Sequence, residues 1–358
     1  MIILSPKWIY LDNKSLASDK SVLLDGGKIA NVLSENDINK NFSRVKRIYY
    51  KNHIMMPSFT DTYINFDDCA SSFQYEQKIK NILHNGVTKL QIVTKDYKKL
   101  LKLKHDDHMD ISFMITLDGC KCTQTDINNM IKTLDFYKSN PNQLFNINII
   151  NIIKFDNQVI EKVASIANEI HFNIHIHLND LIGLTHKEIE TKIKYFDDIN
   201  ILNNCAVHDA IMNRDYVFEY FNKKNISICV KYCELNTFEN INYFISLIKD
   251  GYNCILISDK EKSFRFYDLI KITDILNKNI ETFDANKIIN CVTENTERYL
   301  SNSSHKNILN KGAAASFNLY DQSKKLLLNN QYKPKLVYID NESLTNVWSS
   351  GKEVYGKY

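Results

Sequence analysis

The chain is poor in the residues that punctuate and staple a protein. Of its 358 residues only 9 are glycine, 4 proline and 2 tryptophan. Lys, Asn, Ile and Tyr are abundant instead, the bias of an AT-rich coding sequence, so runs of Lys and Asn read as solvated faces. Neither sign of charge prevails. Lys and Arg number 45 against 42 Asp and Glu, a net +3, too little to argue for nucleic acid or an anionic membrane as partner. No run approaches the roughly 18 apolar residues of a membrane span. The first residues, Met-Ile-Ile-Leu-Ser-Pro-Lys, lack the basic segment and long apolar stretch of a secretory signal, so a cytoplasmic location is expected. The eight cysteines, at 69, 120, 122, 205, 229, 233, 254 and 291, have no zinc-finger spacing. They are expected to be reduced, several of them as small core residues. The composition left is that of an ordinary globular protein, 44% hydrophobic and 24% charged, long enough for one large domain with or without a small satellite.

What is present is a set of three apolar runs with chemistry at their ends. Residues 172–180 alternate Phe172, Ile174, Ile176 and Leu178 with His175 and His177 on the opposite face of a strand. Residues 201–208 end in His208, and residues 252–259 end in Asp259. Around these the chain alternates helical and strand patterns: helix 72–85, strand 87–94, helix 96–104, strand 111–117, helix 125–138, strand 145–154, helix 157–170, strand 172–178, helix 185–196, strand 200–207, helix 213–223, strand 226–232, helix 238–249, strand 252–258, and helices at 265–278 and 284–299. Counting a strand at 54–64, eight strand–helix units predict an α/β fold with parallel strands closed into a (β/α)8 barrel over 56–310. Residues 1–55 read as β, with Asp25-Gly26-Gly27-Lys28 as a hairpin turn, and 311–358 read as β again, including 314–320, 335–339 and 347–354. One small β-sandwich domain built from both termini is expected.

Several stretches resemble the amidohydrolase superfamily of metal-dependent hydrolases. Met56-Pro57-Ser58-Phe59-Thr60-Asp61 is similar to the Met-Pro-Gly-Phe-x-Asp that leads into that family's first barrel strand. The hairpin over 23–32, Thr293-Glu-Asn-Thr296, Gly312–Asp321 and the strand carrying Ser350-Gly351-Lys352 are similar to its other landmarks, in the same order. The resemblance implies metal ligands at a His-x-His pair on barrel strand 1, a His on strand 5, a His on strand 6 and an Asp on strand 8. His177, His208 and Asp259 match the last three, but Tyr63 and Asn65 stand where the pair belongs.

Two branches remain open. N-acetylglucosamine-6-phosphate deacetylases include members with Gln-x-Asn in place of the pair and an acid after strand 3. Leu117-Asp118-Gly119 and Asn65 match that pattern, so Asp118, His177 and His208 would hold a single Zn²⁺. Cytosine deaminase-like and dihydroorotase-like members share the His177–His208–Asp259 skeleton, and Asp180 resembles an acid several deaminases use. The resemblance implies hydrolysis of a C–N bond in an amide, cyclic amide or amidine of a small molecule. Asp259 would take the proton of water and pass it to the leaving nitrogen, His208 or the metal would polarise the substrate, and Tyr63, Asn65 and Asp180 would line its site. Loss of the His-x-His pair also motivates a second class, a metal-free relative that binds a small molecule or scaffolds a partner. A homo-oligomer is compatible with either.

Overall fold

A computed structural model describes residues 1–11, 15–67, 69, 71–94, 109–121, 123, 125–129, 132, 145–214, 221, 226–258, 286–301, 309–323 and 343–356. Two eight-stranded sheets organise it. The first holds β1 (Ile2–Leu11), β2 (Ser15–Ser18), β3 (Lys20–Asp25), β4 (Lys28–Ser34), β5 (Arg47–Pro57), β14 (Phe317–Asp321), β15 (Leu344–Ser349) and β16 (Lys352–Gly356). It draws strands from both ends of the chain, and the join is the antiparallel pairing of β14 with β5. The expected sandwich takes the form of this one continuous sheet, with apolar clusters on both faces: Leu4, Val22 and Leu24 on one, Ile3, Leu23 and Leu33 on the other. Gly26 and Gly27, both at positive φ, make the two-residue turn of the β3–β4 hairpin.

The second sheet is the barrel. β6 (Phe59–Asn65), β7 (Val87–Thr94), β8 (Asp110–Asp118), β9 (Phe145–Ile150), β10 (Ile174–His177), β11 (Cys205–His208), β12 (Ser227–Lys231) and β13 (Asn253–Ile257) pair in sequence order, all parallel. Helices α2 (Ser72–Leu83), α3 (Asn157–Ile170), α4 (His186–Asp198) and α5 (Phe238–Lys249) connect them. The N-caps are Ser71, Asp156, Thr185 and Thr237, short side-chain acceptors that satisfy otherwise orphaned first-turn N–H groups. The predicted helices at 96–104 and 265–278 and the predicted strand at 335–339 lie outside the described residues, as does most of 125–138 and 213–223. Among the described residues no helix is long and apolar enough to cross a membrane. None of the seven described cysteines is in a disulfide.

Three elements depart from the sequence reading. The single strand expected over 54–64 is two, because the chain changes sheets at Ser58. Pro57 has no N–H to extend a ladder, Ser58 N donates to Ser316 of the small sheet at 3.3 Å, and Phe59 N donates to Gly86 beside the barrel at 2.9 Å. A helix missing from that reading, α1 (Glu35–Asn41), is closed by a Ser34–Asp37 capping box. The helix expected at 284–299 is interrupted, giving α6 (Asn286–Asn290) and α7 (Glu294–Ser301). The interruption frees two carbonyls for the barrel. Cys291 O accepts from Leu256 N of β13 at 3.0 Å, and Val292 O accepts from Thr60 N of β6 at 2.9 Å.

These bonds lie at the one seam where the barrel strands are not laddered together, β13 to β6. Asp61 completes the seam. Its side chain is buried, accepts from the backbone of Ser258 at 3.4 Å and Tyr63 at 3.2 Å, and takes the hydroxyl proton of Ser258. α7 then covers the N-terminal end of the barrel, where Glu297 pairs with Lys89 at 2.9 Å. Asp61→Ala strands two backbone N–H groups and a hydroxyl in the interior. At about 1–3 kcal/mol for each unsatisfied buried group, a loss of roughly 3 kcal/mol or more in urea unfolding is expected. Asp61→Asn, which keeps an acceptor, should recover most of it, and equal losses in the two variants would count against the seam role.

Candidate functional site

The strand pleat sends every second residue into the barrel. Those positions carry Tyr63 on β6, Gln91 on β7, Thr116 on β8, Asn146 and Asn148 on β9, His175 and His177 on β10, His208 on β11, and Cys229 and Lys231 on β12. The interior is therefore a stack of polar groups beside a small apolar cluster of Val93, Met114, Ala206, Ile255 and Ile257.

At the C-terminal mouth, where barrels of this kind present their working groups, His177 and His208 face each other across the β10–β11 register. Their rings stack with centroids 4.5 Å apart. Asp209 follows β11 in the left-handed conformation, φ 62°, a costly state for a non-glycine residue. Its carboxylate lies 3.3 Å from His177 Nδ1 and accepts from Lys231 Nζ at 2.9 Å. Burial alone would raise the Asp209 pKa, but the bonds from His177 and Lys231 outweigh it and hold it at about 2. The mouth thus contains an ionised carboxylate clamped between an imidazole and an ammonium. His177 Nε2 is engaged in turn, 2.8 Å from Asn148 Oδ1.

Tyr63 stands in the middle of this group. Its ring lies 4.8 Å from that of His208 and 6.3 Å from those of His175 and His177. Its hydroxyl accepts from Asn148 Nδ2 at 3.4 Å, and burial pushes its pKa up to about 12, so it is a neutral phenol. The other sequence candidates point to local tasks. Asn65 Oδ1 accepts from Asp67 N at 2.7 Å and shapes the turn after β6. Asp118 accepts from Asn151 Nδ2 at 2.8 Å and Cys120 N at 3.1 Å. Asp180 accepts from Ile152 N at 3.2 Å, and burial raises its pKa. Asp259 lies outside the described residues. Sequence reasoning passed over Asp209, Lys231 and Asn148. Asp209 adjoins His208, and Lys231 is the charged residue at the end of an otherwise apolar strand. Both signals were available in the sequence.

Below the mouth the hydrogen bonds form a column with a direction. The backbone N–H of Asn173 donates to Asn146 Oδ1 at 3.0 Å, which identifies that atom as the oxygen. The amide nitrogen of Asn146 therefore donates to the Tyr299 hydroxyl oxygen at 2.9 Å and to Gln91 Oε1 at 3.3 Å. The Tyr299 proton goes to His175 Nε2. His175 then carries its own proton on Nδ1 and donates it to His208 Nε2 at 2.6 Å. His208 is left with its proton on Nδ1, a fully buried atom with no partner among the described residues. Burial, reinforced by neighbouring imidazoles, holds both His175 and His208 well below the ordinary histidine pKa, so both are neutral.

A sequence model of the amidohydrolase family matches residues 54–354, and the chain belongs to that family. No curated protein matches the sequence. Solved structures of similar fold include a guanine deaminase from C. acetobutylicum with bound guanine, at 13% identity and TM-score 0.73, covering 99% of this chain and 99% of that one. An adenosine deaminase from Xanthomonas campestris with bound zinc matches at 12% identity and TM-score 0.72, over 99% and 93% of the two chains. An atrazine chlorohydrolase from Arthrobacter aurescens complexed with zinc matches at 10% identity and TM-score 0.71, over 99% and 95%.

The family raises the question of a metal. Among the described residues, the group of metal-type donors that comes together is His175, His208 and Cys229, with atoms within 4.8 Å of one another; Asp118 and His177 are not in it. That spacing is near what zinc needs, but the donors are not free. His175 Nδ1 and His208 Nε2 share a proton, and burial keeps Cys229 a thiol by pushing its pKa up. Turning His175 to free Nδ1 would require Nε2–H to donate to Tyr299, whose oxygen already accepts from Asn146 and whose own proton would then have no acceptor in this column. The described residues in this arrangement do not fit a metal ion.

The neutral histidines give a pH dependence. Their folded pKa values lie below the free value of about 6.5, so the unfolded chain binds protons that the folded chain refuses. Stability is complete above that pH and falls as pH drops through it, by up to about 2.7 kcal/mol per pH unit for two histidines. Urea midpoints measured from pH 8 to pH 5 should decline below about 6.5, and less steeply in His208→Gln. A flat profile would contradict the buried neutral pair.

Proposed function

We propose that this protein hydrolyses a C–N bond of a small molecule at the C-terminal mouth of its barrel, the general chemistry of the amidohydrolase family to which it belongs. The observation that carries the reading is the Asp209 carboxylate, fixed between His177 and Lys231 on the residue that follows His208, whose Nδ1 has no partner among the described residues. His208 Nδ1–H donates to the carbonyl oxygen or amidine nitrogen of the substrate, and strengthens that bond as negative charge develops there. His177 keeps its Nδ1–H on Asp209, gives up to solvent the Nε2 proton it shares with the Asn148 oxygen as Nε2 turns to a water, then takes a proton from that water and returns it to the leaving nitrogen. Lys231 keeps Asp209 ionised. Asp259, the sequence-based acceptor of the water's proton, belongs to this reading as a second carboxylate. Tyr63, Asn65 and Asp180 complete the substrate site.

The single-zinc reading, with His177, His208 and Asp118, competes with this route. The second functional class, a binding or scaffolding subunit, is favoured by Tyr63, whose ring occupies the centre of the histidine group. One set of measurements separates them. Turnover of a panel of simple amides, cyclic amides and amidines, measured with chelator present, should fall at least about 100-fold in Asp209→Asn and in His208→Gln. Zinc near one per chain in protein purified without chelator, lost in His177→Ala, His208→Ala and Asp118→Asn, would replace this route with the single-metal one. Saturable binding of a panel member without any turnover would overturn the hydrolase reading in favour of the binding subunit.

A further inference from the structure

The proton column under the mouth ends on a residue far away in the sequence. Tyr299 lies on α7, the helix that covers the opposite end of the barrel, and its side chain is buried among Met114, Cys229 and Ile255. Its backbone is held as well, since Asn173 Nδ2 donates to Tyr299 O at 2.7 Å. A phenylalanine would fill the same apolar space, so packing does not call for the hydroxyl. What the hydroxyl does is transmit a direction. Asn146 takes one of its lone pairs, and His175 Nε2 is the acceptor within reach of its proton among the described residues, so it donates onward, and His175 and then His208 take the tautomers that follow.

We propose that Tyr299 is a positioning residue for the barrel mouth: through His175 it fixes His208 as the Nδ1–H tautomer, so that the site offers a hydrogen-bond donor to an acceptor atom of the ligand instead of a lone pair to a metal. This rests on the mouth being the functional site. It extends that reading by assigning the choice between donor and lone pair to a hydroxyl two residues deeper in the column.

The column can be reversed by one atom. In Asn146→Asp the carboxylate still faces Tyr299 but accepts where the amide donated. Tyr299 then gives its proton to that carboxylate and accepts from His175 Nε2–H. His175 Nδ1 becomes an acceptor, and His208 must donate from Nε2, leaving a lone pair on Nδ1. Gln91 can adjust, because its Nε2 has no partner among the described residues and turning the amide presents that nitrogen to the new carboxylate.

The test is nitrogen-15 NMR of the full chain labelled at histidine, which distinguishes the two neutral tautomers directly, with the His208 signals assigned by their loss in His208→Gln. In the unmodified protein His208 should be the Nδ1–H tautomer. In Asn146→Asp it should be the Nε2–H tautomer, and in Tyr299→Phe, where no direction is imposed, a mixture of the two. Zinc affinity, measured by titration with zinc alone, should rise at least about tenfold in Asn146→Asp, because His208 Nδ1 then carries a lone pair that no described residue engages. An Nε2–H tautomer of His208 in the unmodified protein, or a tautomer that Asn146→Asp leaves unchanged, would overturn the assignment. A merely structural Tyr299 would alter stability in these variants without switching the tautomer. Because these readouts need no turnover, the hydrolase reading can fail while the tautomer assignment stands, and the reverse.

Discussion

A barrel interior packed with amides and imidazoles must satisfy each donor with an acceptor, and here the sense of the whole arrangement is decided at one contact. The backbone N–H of Asn173 cannot be anything but a donor, so the amide of Asn146 has one orientation, and every proton above it is assigned in turn. Rigid packing makes this effective. The members are fully or nearly fully buried, so each bond is made in a low-dielectric interior. The energetic stake is that of unpaired polar groups in a low-dielectric interior, which exceeds the small net gain of any single hydrogen bond.

The chemistry of the mouth follows from the same constraint. His208 is the last, fully buried member of the column, with its Nε2 lone pair spent on His175, and what it has left is an N–H. His177 is turned the other way, toward Asp209 and Asn148, and is the imidazole through which protons can move. In the proposed reaction two stacked rings on neighbouring strands thereby take unequal roles, one electrophilic and one basic. Tyr63, standing where the family resemblance leads one to expect a histidine, supplies bulk and a neutral hydroxyl in the same space.

Much of this was legible in the residues, and the misses have physical causes. The helices over 157–170 and 238–249 follow from apolar spacing and caps, which are local. The position of His177 and His208 at one end of adjacent strands follows from the strand–helix–strand spacing. The split at Ser58 does not, because an apolar run through Met55 and Met56 looks the same whether its neighbours belong to one sheet or two. α1 escaped attention although Ser34 and Asp37 spell a capping box, since its single buried residue, Ile38, gives almost no periodicity. His175 reads from sequence as a packed or hydrogen-bonded core histidine, and its burial and bonds agree. Its role as a relay depends on Tyr299, more than a hundred residues away, and no local pattern announces such a partner.

The small sheet has a consequence for how the protein is made. β5 is flanked by β1 on one side and by β14 on the other, yet β14 begins only at Phe317. During synthesis the N-terminal strands and the entire barrel emerge first, leaving one long side of β5 with its N–H and C=O groups unpaired. The turns at Gly27 and Gly351 show how late the closure is: a Cβ built on Gly351 would lie 2.7 Å from the Gly27 backbone, so the hairpin that precedes the barrel is seated against a turn that follows it. Until then the nascent chain carries an open strand edge, the template on which other chains pair. A nascent or prematurely terminated chain that ends before Phe317 keeps that edge, and is a form prone to aggregate.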